Sequence, residues 1–260
     1  MPKVVILCGG QGTRIRDVSE TLPKPMLPIG GRPVVWHIMK MYAAHGYRDF
    51  VLCLGYKGWV IKEFFLNYEA MTRDITVRLG AAGGVTVHGV QPDEQWNVTL
   101  AETGESTATG GRVQAIRKYV EDDDVFLLTY GDGVANVDLA KLMELHRQNN
   151  PIVTVTAVRP PGRFGELGID NSRVYEFNEK PQASGGFING GFFVCDAKRI
   201  WDYLPGPDAA LEIEPMRHLA ADGQLVAYLH TGFWQPMDTL REYTLLNDLW
   251  AAGEAPWKTW

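Results

Sequence analysis

A short apolar run, Val4-Val5-Ile6-Leu7-Cys8, breaks abruptly into Gly9-Gly10-Gln11-Gly12-Thr13-Arg14, and Leu22-Pro23-Lys24-Pro25 follows soon after. The run is β-rich, too short for a helix and ends in glycines, as a buried strand feeding a phosphate-binding loop does. Glycines let backbone come close to a ligand, and successive N–H groups then form an anion-binding nest. Arg14 adds a planar fork of donors suited to phosphate. Lys24 lies between two prolines whose fixed φ holds its backbone in advance. Two familiar glycine loops fail on spacing. Gly12 is followed by Thr13-Arg14, where a P-loop needs Gly-Lys-Ser/Thr, and the dinucleotide fingerprint wants a small third residue where this chain has Ile15. Glycines alone fit a plain turn equally well; Arg14 and the Pro-Lys-Pro clamp favour phosphate.

The rest of the chain reads as alternating strands and helices. Pro33 suits the first turn of a helix over Val34–Tyr42, and Gly46 suits its end. Phe50–Leu54 reads as a second buried strand, and Trp59, Val60, Phe64 and Tyr68 recur at helical spacing. Ile75–Val77 and Val85–Val87 alternate around glycines as a small hairpin does. Trp96–Leu100, Val125–Tyr130, Ile152–Val158, Val174–Asn178 and Phe187–Val194 read as further strands. The expected architecture is an α/β, Rossmann-like, mixed but mainly parallel sheet flanked by helices, with small β insertions. At 260 residues and 45% hydrophobic, the chain is large enough for one full core.

Twenty-five basic against 31 acidic residues give a net charge of −6. With no basic run, the chain is a poor candidate for nucleic acid or an anionic membrane. No apolar run approaches the roughly 18 residues of a membrane span. Cys8, Cys53 and Cys195 lie in or at the end of apolar runs without metal-ligand spacing. They read as buried reduced thiols, and with no secretory h-region at the N-terminus the expected location is cytoplasmic.

The unbroken strand Val125–Tyr130 ends in Gly131-Asp132-Gly133, and ligands of open α/β sheets sit beyond the carboxyl ends of such strands. A carboxylate in a tight turn is the plainer explanation. However, Asn136 or Asp138 is available to cap the next helix, so Asp132 is free to ligate a metal. Thr239-Leu240-Arg241-Glu242 supplies its own capping box, which likewise frees Asp238. The two glycines inside Phe187–Val194 weaken a strand unless a ligand approaches, which makes Asn189 and Gly190 candidate contacts. His146, on an amphipathic helix over 137–149, reads as a surface residue. The tail with Trp257 and Trp260 is expected to be pinned to its own domain or to another subunit, with the reading leaning to a subunit contact. With only four serines and none on a strand-to-helix elbow, a covalent nucleophile has little support. A glycine nest, Arg14, two separated lysines and two carboxylates form the inventory of a phosphoryl-group reaction run by positioning and charge.

Gly-Gly-x-Gly-Thr-Arg followed by Pro-Lys-Pro-Met resembles the sugar-1-phosphate nucleotidyltransferases. Trp96–Leu100, Thr103-Gly104 and Gly110-Gly111-Arg112 are similar to the nucleotide-binding segment of the glucose-1-phosphate cytidylyltransferases among them. The resemblance runs from Val4 to Trp260. It implies one nucleotidyltransferase domain over 1–260, with a sugar-binding half over roughly 151–238 and a terminal helix and tail over 239–260. It implies CTP and a sugar 1-phosphate, most simply glucose 1-phosphate, as substrates, Mg²⁺ as cofactor, and a closed homo-oligomer, a trimer or hexamer. Leu7, Gly9, Gly10, Gly12, Thr13, Thr103, Arg112 and Gly131 would meet the nucleotide, and Asp132 and Asp238 the Mg²⁺. Arg14, Lys24 and Lys180 would be catalytic, with Lys180 on the sugar phosphate and Glu179, Asn189 and Gly190 on the sugar. Two departures fall on the sugar side: Leu211-Glu212-Ile213-Glu214-Pro215 lacks the family's tryptophan, and Glu166 and Gly168 stand where a small residue and an acid are usual. The alternatives are a uridylyl- or thymidylyltransferase on the same fold, a cytidylyltransferase for a different sugar 1-phosphate, or a non-catalytic nucleotide-sugar sensor; a sensor would be expected to lack Lys24, Asp132 or Asp238.

Overall fold

The structure, a computed structural model, describes residues 1–10, 21–80, 83–89, 94–160, 166–170, 173–178 and 186–260. In chain order the strands are β1 (Val4–Leu7), the hairpin β2–β3 (Pro28–Ile29, Arg32–Pro33), β4 (Asp49–Leu54), and the hairpin β5–β6 (Ile75–Arg78, Gly84–Val87). There follow β7 (Asn97–Glu102), β8 (Val125–Tyr130), β9 (Gly133–Ala135), β10 (Val153–Val158), and the hairpin β11–β12 (Glu166–Asp170, Arg173–Asn178). The last are β13 (Ile188–Asp196), β14 (Leu225–His230) and β15 (Trp234–Pro236). Seven of them form one sheet in the order β14-β10-β13-β8-β1-β4-β7. Only β13 runs antiparallel to its neighbours, β8 and β10; every other pairing in the sheet is parallel. This is the mixed, mainly parallel sheet that the alternation of strand and helix patterns predicts.

β1 is the axis of that sheet because both its faces are buried. Val4 and Ile6 join the core that includes Val35, Ile38 and Tyr42 of the helix Val34–Ala44. Val5 and Leu7 join the opposite core, with Val113, Ile116 and Trp201. Each such side chain contributes roughly 1.5–3 kcal/mol by leaving water, so a one-residue slip of β1 is strongly opposed. β4 lies on one side of β1 and β8 on the other. The strand order therefore reverses at β1, and a crevice opens beyond the carboxyl ends of β1 and β8.

Two expectations are corrected. His146 is buried, not a surface residue, and its Nδ1 pairs with Thr154 Oγ1 of β10 at 2.9 Å. The aromatic tail packs on its own chain. Trp257 is fully buried, with its ring centroid 5.6 Å from that of Phe233 and 6.3 Å from that of Trp250. Its Nε1–H donates to His37 Nδ1 at 3.4 Å, while His37 Nε2–H donates to the Ile29 carbonyl at 2.8 Å. Both contacts need a neutral imidazole, and burial lowers the His37 pKa to about 4. Only the unfolded chain gains this proton as pH falls from about 6.5 towards 4, so stability is complete above about 6.5 and declines across that window. The urea midpoint should therefore be lower at pH 5 than at pH 7, and His37→Gln should show a smaller drop. An equal drop in both proteins would remove His37 as the cause.

Candidate active site

The crevice is built from three segments far apart in sequence. β9 and β15 pair antiparallel with Gly133 opposite Pro236, and the Met237 N–H donates to the Asp132 carbonyl at 2.8 Å. This short ladder sets Asp132, just before β9, beside Asp238, just after β15. Asp238 is not tied up as a helix cap. Thr239 and Glu242 form the reciprocal capping box of the helix Leu240–Ala251, as the sequence predicts, and Glu242 also accepts from the Asp238 N–H. Asp138 caps the helix Leu139–Asn149 that follows Asp132, accepting from the Lys141 N–H, which leaves Asp132 free of that duty too.

Lys24 comes from the opposite side, on a single 3-10 turn over Lys24–Met26 that Pro23 leads into. Its Nζ lies 2.5 Å from Asp132 Oδ2 and also donates to Asp238 Oδ1. Burial alone would lower the pKa of this ammonium, but the two carboxylates outweigh burial and hold it above its ordinary value. Lys24 is therefore a fixed cation at neutral pH. The oxygens around it are hard donors of the kind that Mg²⁺ takes together with phosphate oxygens and water. Among the described residues no cluster of three or more His, Cys, Asp or Glu could hold a metal alone. The donor set thus fits a cation whose shell the substrate and water complete.

A cleft of about 310 Å³ adjoins this cluster, lined among others by Leu7, Gly9, Gly10, Lys24, Arg112, Gly131 and Asp132. A Cβ on Gly131 would stand 2.8 Å from the Leu7 carbonyl oxygen, so only glycine lets the β8 end lie so close to β1. Arg112, which lines the cleft, and Thr103 behind it spend their polar groups on the chain itself. Arg112 is 4% exposed, and its guanidinium donates to the carbonyls of Leu54, Gly104, Gly9 and Glu105 at 2.7–3.2 Å and to Thr103 Oγ1 at 2.8 Å. Thr103 in turn donates to the Leu54 carbonyl at 2.6 Å. A Cβ at Gly9 or Gly55 would fall within 2.4 Å of that guanidinium, which is why both positions are glycine. Arg112 ties the ends of β1 and β4 to the loop after β7.

Beyond Arg112 the cleft is lined by Thr109 and Tyr130, which the sequence did not mark as site residues. Tyr130, the polar tip of β8, donates its hydroxyl to Glu212 Oε1 at 2.6 Å and accepts from Asn189 Nδ2 at 3.1 Å. The signal for Tyr130 was its place at the end of an apolar strand next to Gly131-Asp132; nothing local marks Glu212. Asn189 stands at the mouth beside Tyr130. At Gly190 a Cβ would meet Val158 at 2.7 Å, and the Gly190 carbonyl accepts from Trp234 Nε1 at 2.7 Å. Gly12, Thr13, Arg14, Glu179 and Lys180 lie outside the described residues.

Loss of the Arg112 fork would remove charge-assisted hydrogen bonds to four carbonyls, at roughly 1.5–3 kcal/mol each, while Gly9 and Leu54 would keep only their backbone donors, the Tyr56 and Thr103 N–H groups. Lysine cannot replace a planar fork. Arg112→Lys should lower the unfolding free energy by at least about 2 kcal/mol in urea titration, and an unchanged midpoint would contradict the brace.

Comparison with known proteins agrees with this geometry. Residues 3–244 match the model of the nucleotidyl transferase family. Glucose-1-phosphate cytidylyltransferase of Salmonella typhi is 50% identical over 258 residues, covering 99% of each chain. A probable glucose-1-phosphate cytidylyltransferase of Bacillus subtilis is 44% identical, covering 99% of this chain and 100% of its own. The crystal structure of HddC from Yersinia pseudotuberculosis shares the fold with a TM-score of 0.68 at 24% identity, over 96% of this chain and 100% of that one. A sheet whose order reverses at β1, a lysine set between two carboxylates at that point, and a match over nearly the whole length place the chain in the nucleotidyl transferase family.

Proposed function

We propose that this chain transfers the cytidylyl group of CTP to glucose 1-phosphate, giving CDP-glucose and pyrophosphate with Mg²⁺ as cofactor. The observation that carries the reaction is the Lys24 ammonium held between Asp132 and Asp238 beside the β1 cleft. The choice of CTP and glucose 1-phosphate rests on the half-identical, full-length relatives of that name.

The two substrates are anions that repel each other. The protein's task is to hold the sugar phosphate oxygen in line with the α-phosphorus of CTP and to offset charge as pyrophosphate leaves. That oxygen is already ionised near neutral pH, since a phosphate monoester's second pKa is about 6, so no general base is needed. Lys24 offers a preorganised donor whose backbone the prolines fix. Gly10, where a Cβ would stand in open space, lets main chain approach the nucleotide without a side chain between. By the motif resemblance, Arg14 takes the triphosphate and Lys180 the sugar phosphate, with Glu179 on sugar hydroxyls. Thr103 and Arg112 shape the base end by holding the loop after β7. Asp132 and Asp238 would hold Mg²⁺, which when bound neutralises phosphate charge. In a site shielded from water, removing one such donor costs about 3 kcal/mol or more.

The same reading includes assembly with copies of this chain. Ile75, Val77, Leu79 and Val85 on and beside the β5–β6 hairpin, with Leu66 and Met71 nearby in sequence, are exposed apolar side chains. Such a surface is common at contacts between subunits. No helix among the described residues is long and apolar enough to cross a membrane.

The four common nucleoside triphosphates, each offered with a panel of sugar 1-phosphates, should give pyrophosphate chiefly with CTP and glucose 1-phosphate. Product formed only from UTP or dTTP would replace the reading, and no product from any pair would end it. Asp132→Asn should weaken the Mg²⁺ dependence of turnover; a wild-type metal response would deny the ligand role. Lys180→Ala should lower turnover by orders of magnitude while CTP binding, followed by titration calorimetry, persists. Unchanged turnover would remove Lys180 from the site.

A further inference from the structure

Glu212 is an exposed carboxylate in a turn just before the helix Glu214–Ala221, and both its oxygens are engaged across the cleft wall. Oε2 accepts from the Thr109 hydroxyl at 2.6 Å, and Thr109 Oγ1 in turn accepts from the Leu211 N–H at 2.9 Å. Oε1 accepts from the Tyr130 hydroxyl at 2.6 Å. Thr109 and Tyr130 both line the cleft, Thr109 at the start of the helix that carries Arg112 and Tyr130 one residue before Gly131-Asp132. One exposed carboxylate therefore spans two walls of the site.

The direction of each proton follows from these contacts. A carboxylate oxygen only accepts, so across the 2.6 Å contact it is the Tyr130 phenol that gives its proton to Glu212. The phenol oxygen is left as an acceptor, and Asn189 Nδ2–H donates to it at 3.1 Å. Asn189 Oδ1 accepts from the Gly191 N–H at 2.9 Å. The carboxamide of Asn189 is thus fixed in one orientation by two partners. Its oxygen and one of its N–H groups are engaged within the protein, and the second N–H is the donor left for a ligand. β13 runs antiparallel to β8, so Asn189, near the start of β13, lies beyond the carboxyl end of β8, on the same side as Asp132.

We propose that Glu212 is a positioning residue for the sugar phosphate: by accepting from Tyr130 it sets the phenol to accept from Asn189, and so points one amide N–H of Asn189 at an acceptor on the sugar. The group recognised is an oxygen of the glycosyl moiety, a hydroxyl or its phosphate. The inference rests on the cytidylyltransferase reading above. Without the Glu212 acceptor the phenol proton can turn to Asn189. The amide must then reverse to meet it, which sets its NH₂ against the Gly191 N–H. Polarity along the relay, rather than bulk, is what Glu212 supplies.

The test is steady-state kinetics with CTP and glucose 1-phosphate on the full chain, each substrate varied in turn. Glu212→Leu should raise KM for glucose 1-phosphate about tenfold, the worth of one oriented hydrogen bond, and leave KM for CTP within about twofold. Tyr130→Phe removes the relay without altering the carboxylate and should give the same split. The double variant should be no worse than either single one, since the three groups act as one chain. Glu212→Gln keeps one acceptor oxygen and should recover most of the loss. Equal rises in both KM values, an unchanged KM for glucose 1-phosphate, or multiplying effects in the double variant would overturn the proposal. If Glu212→Leu fails to fold, Tyr130→Phe and Glu212→Gln decide alone. Wild-type protein that makes no CDP-glucose would instead defeat the reading on which this rests.

Discussion

The Lys24 ammonium, shared by Asp132 and Asp238, joins three segments that nothing in local sequence connects. Such a cluster is stable only if its geometry is held from outside, because a partly buried charge that loses its partner is costly. Each arm is held by backbone. Lys24 sits on one 3-10 turn bracketed by prolines, and Asp132 and Asp238 flank a three-residue antiparallel ladder. The cluster carries one net negative charge and adjoins a cleft lined at the β1 end by Leu7, Gly9 and Gly10 and beyond it by Thr109, Arg112 and Tyr130. That is a site able to accept a phosphate-bound cation beside a fixed ammonium, where two anionic substrates must come together.

A second cation serves a different end. The guanidinium of Arg112 gathers carbonyl oxygens from Gly9, Leu54, Gly104 and Glu105. Converging carbonyl dipoles repel one another, and the planar fork is what lets three chain segments bring them together. Burial lowers the Arg112 pKa, yet an arginine stays charged at any working pH. Lys24 faces the chemistry, while Arg112 fixes the shape of the space in which the chemistry happens.

Strand positions were largely legible because burial on both faces leaves continuous apolar runs. Val125–Tyr130 is read to the residue, and Val34–Ala44 follows from Pro33 and Gly46. The two carboxylates were legible through local capping, since Thr239-Glu242 and Asp138 account for the helix starts. What failed is what depends on distant partners. No local signal marks where the helix carrying Arg112 begins: it runs Thr109–Ala115 and gives way at Ile116 to a second short helix, Arg117–Val120. Its opening glycines pack tightly on the segment Pro207–Ala209, which supplies carbonyls to the Ala108 and Gly110 N–H groups. His146 pairs with Thr154 across a helix–strand contact, and an amphipathic pattern cannot tell a capped surface histidine from one packed against a strand. Glu212 escaped for the same reason, because its meaning lies with Thr109 and Tyr130, each more than eighty positions away.

The aromatic tail explains why Lys24 and Asp238 share a frame at all. The helix Leu240–Ala251 begins two residues after Asp238, and its Asn247 docks on the β2–β3 hairpin that follows Lys24. The Gly30 N–H donates to Asn247 Oδ1 at 3.1 Å, and Asn247 Nδ2 donates to the Pro28 carbonyl at 3.3 Å. Trp250 fills the space over Gly30, where a Cβ would fall 1.9 Å from its ring and where φ is +56°. Trp257 and His37 then close over the same hairpin through the Ile29 carbonyl. One helix thus sets both ends of the Lys24–Asp238 contact. The hairpin cannot move without shifting the ammonium, and the helix cannot move without shifting the carboxylate. A terminal segment remote from the substrates in sequence is therefore part of what fixes their charges in place.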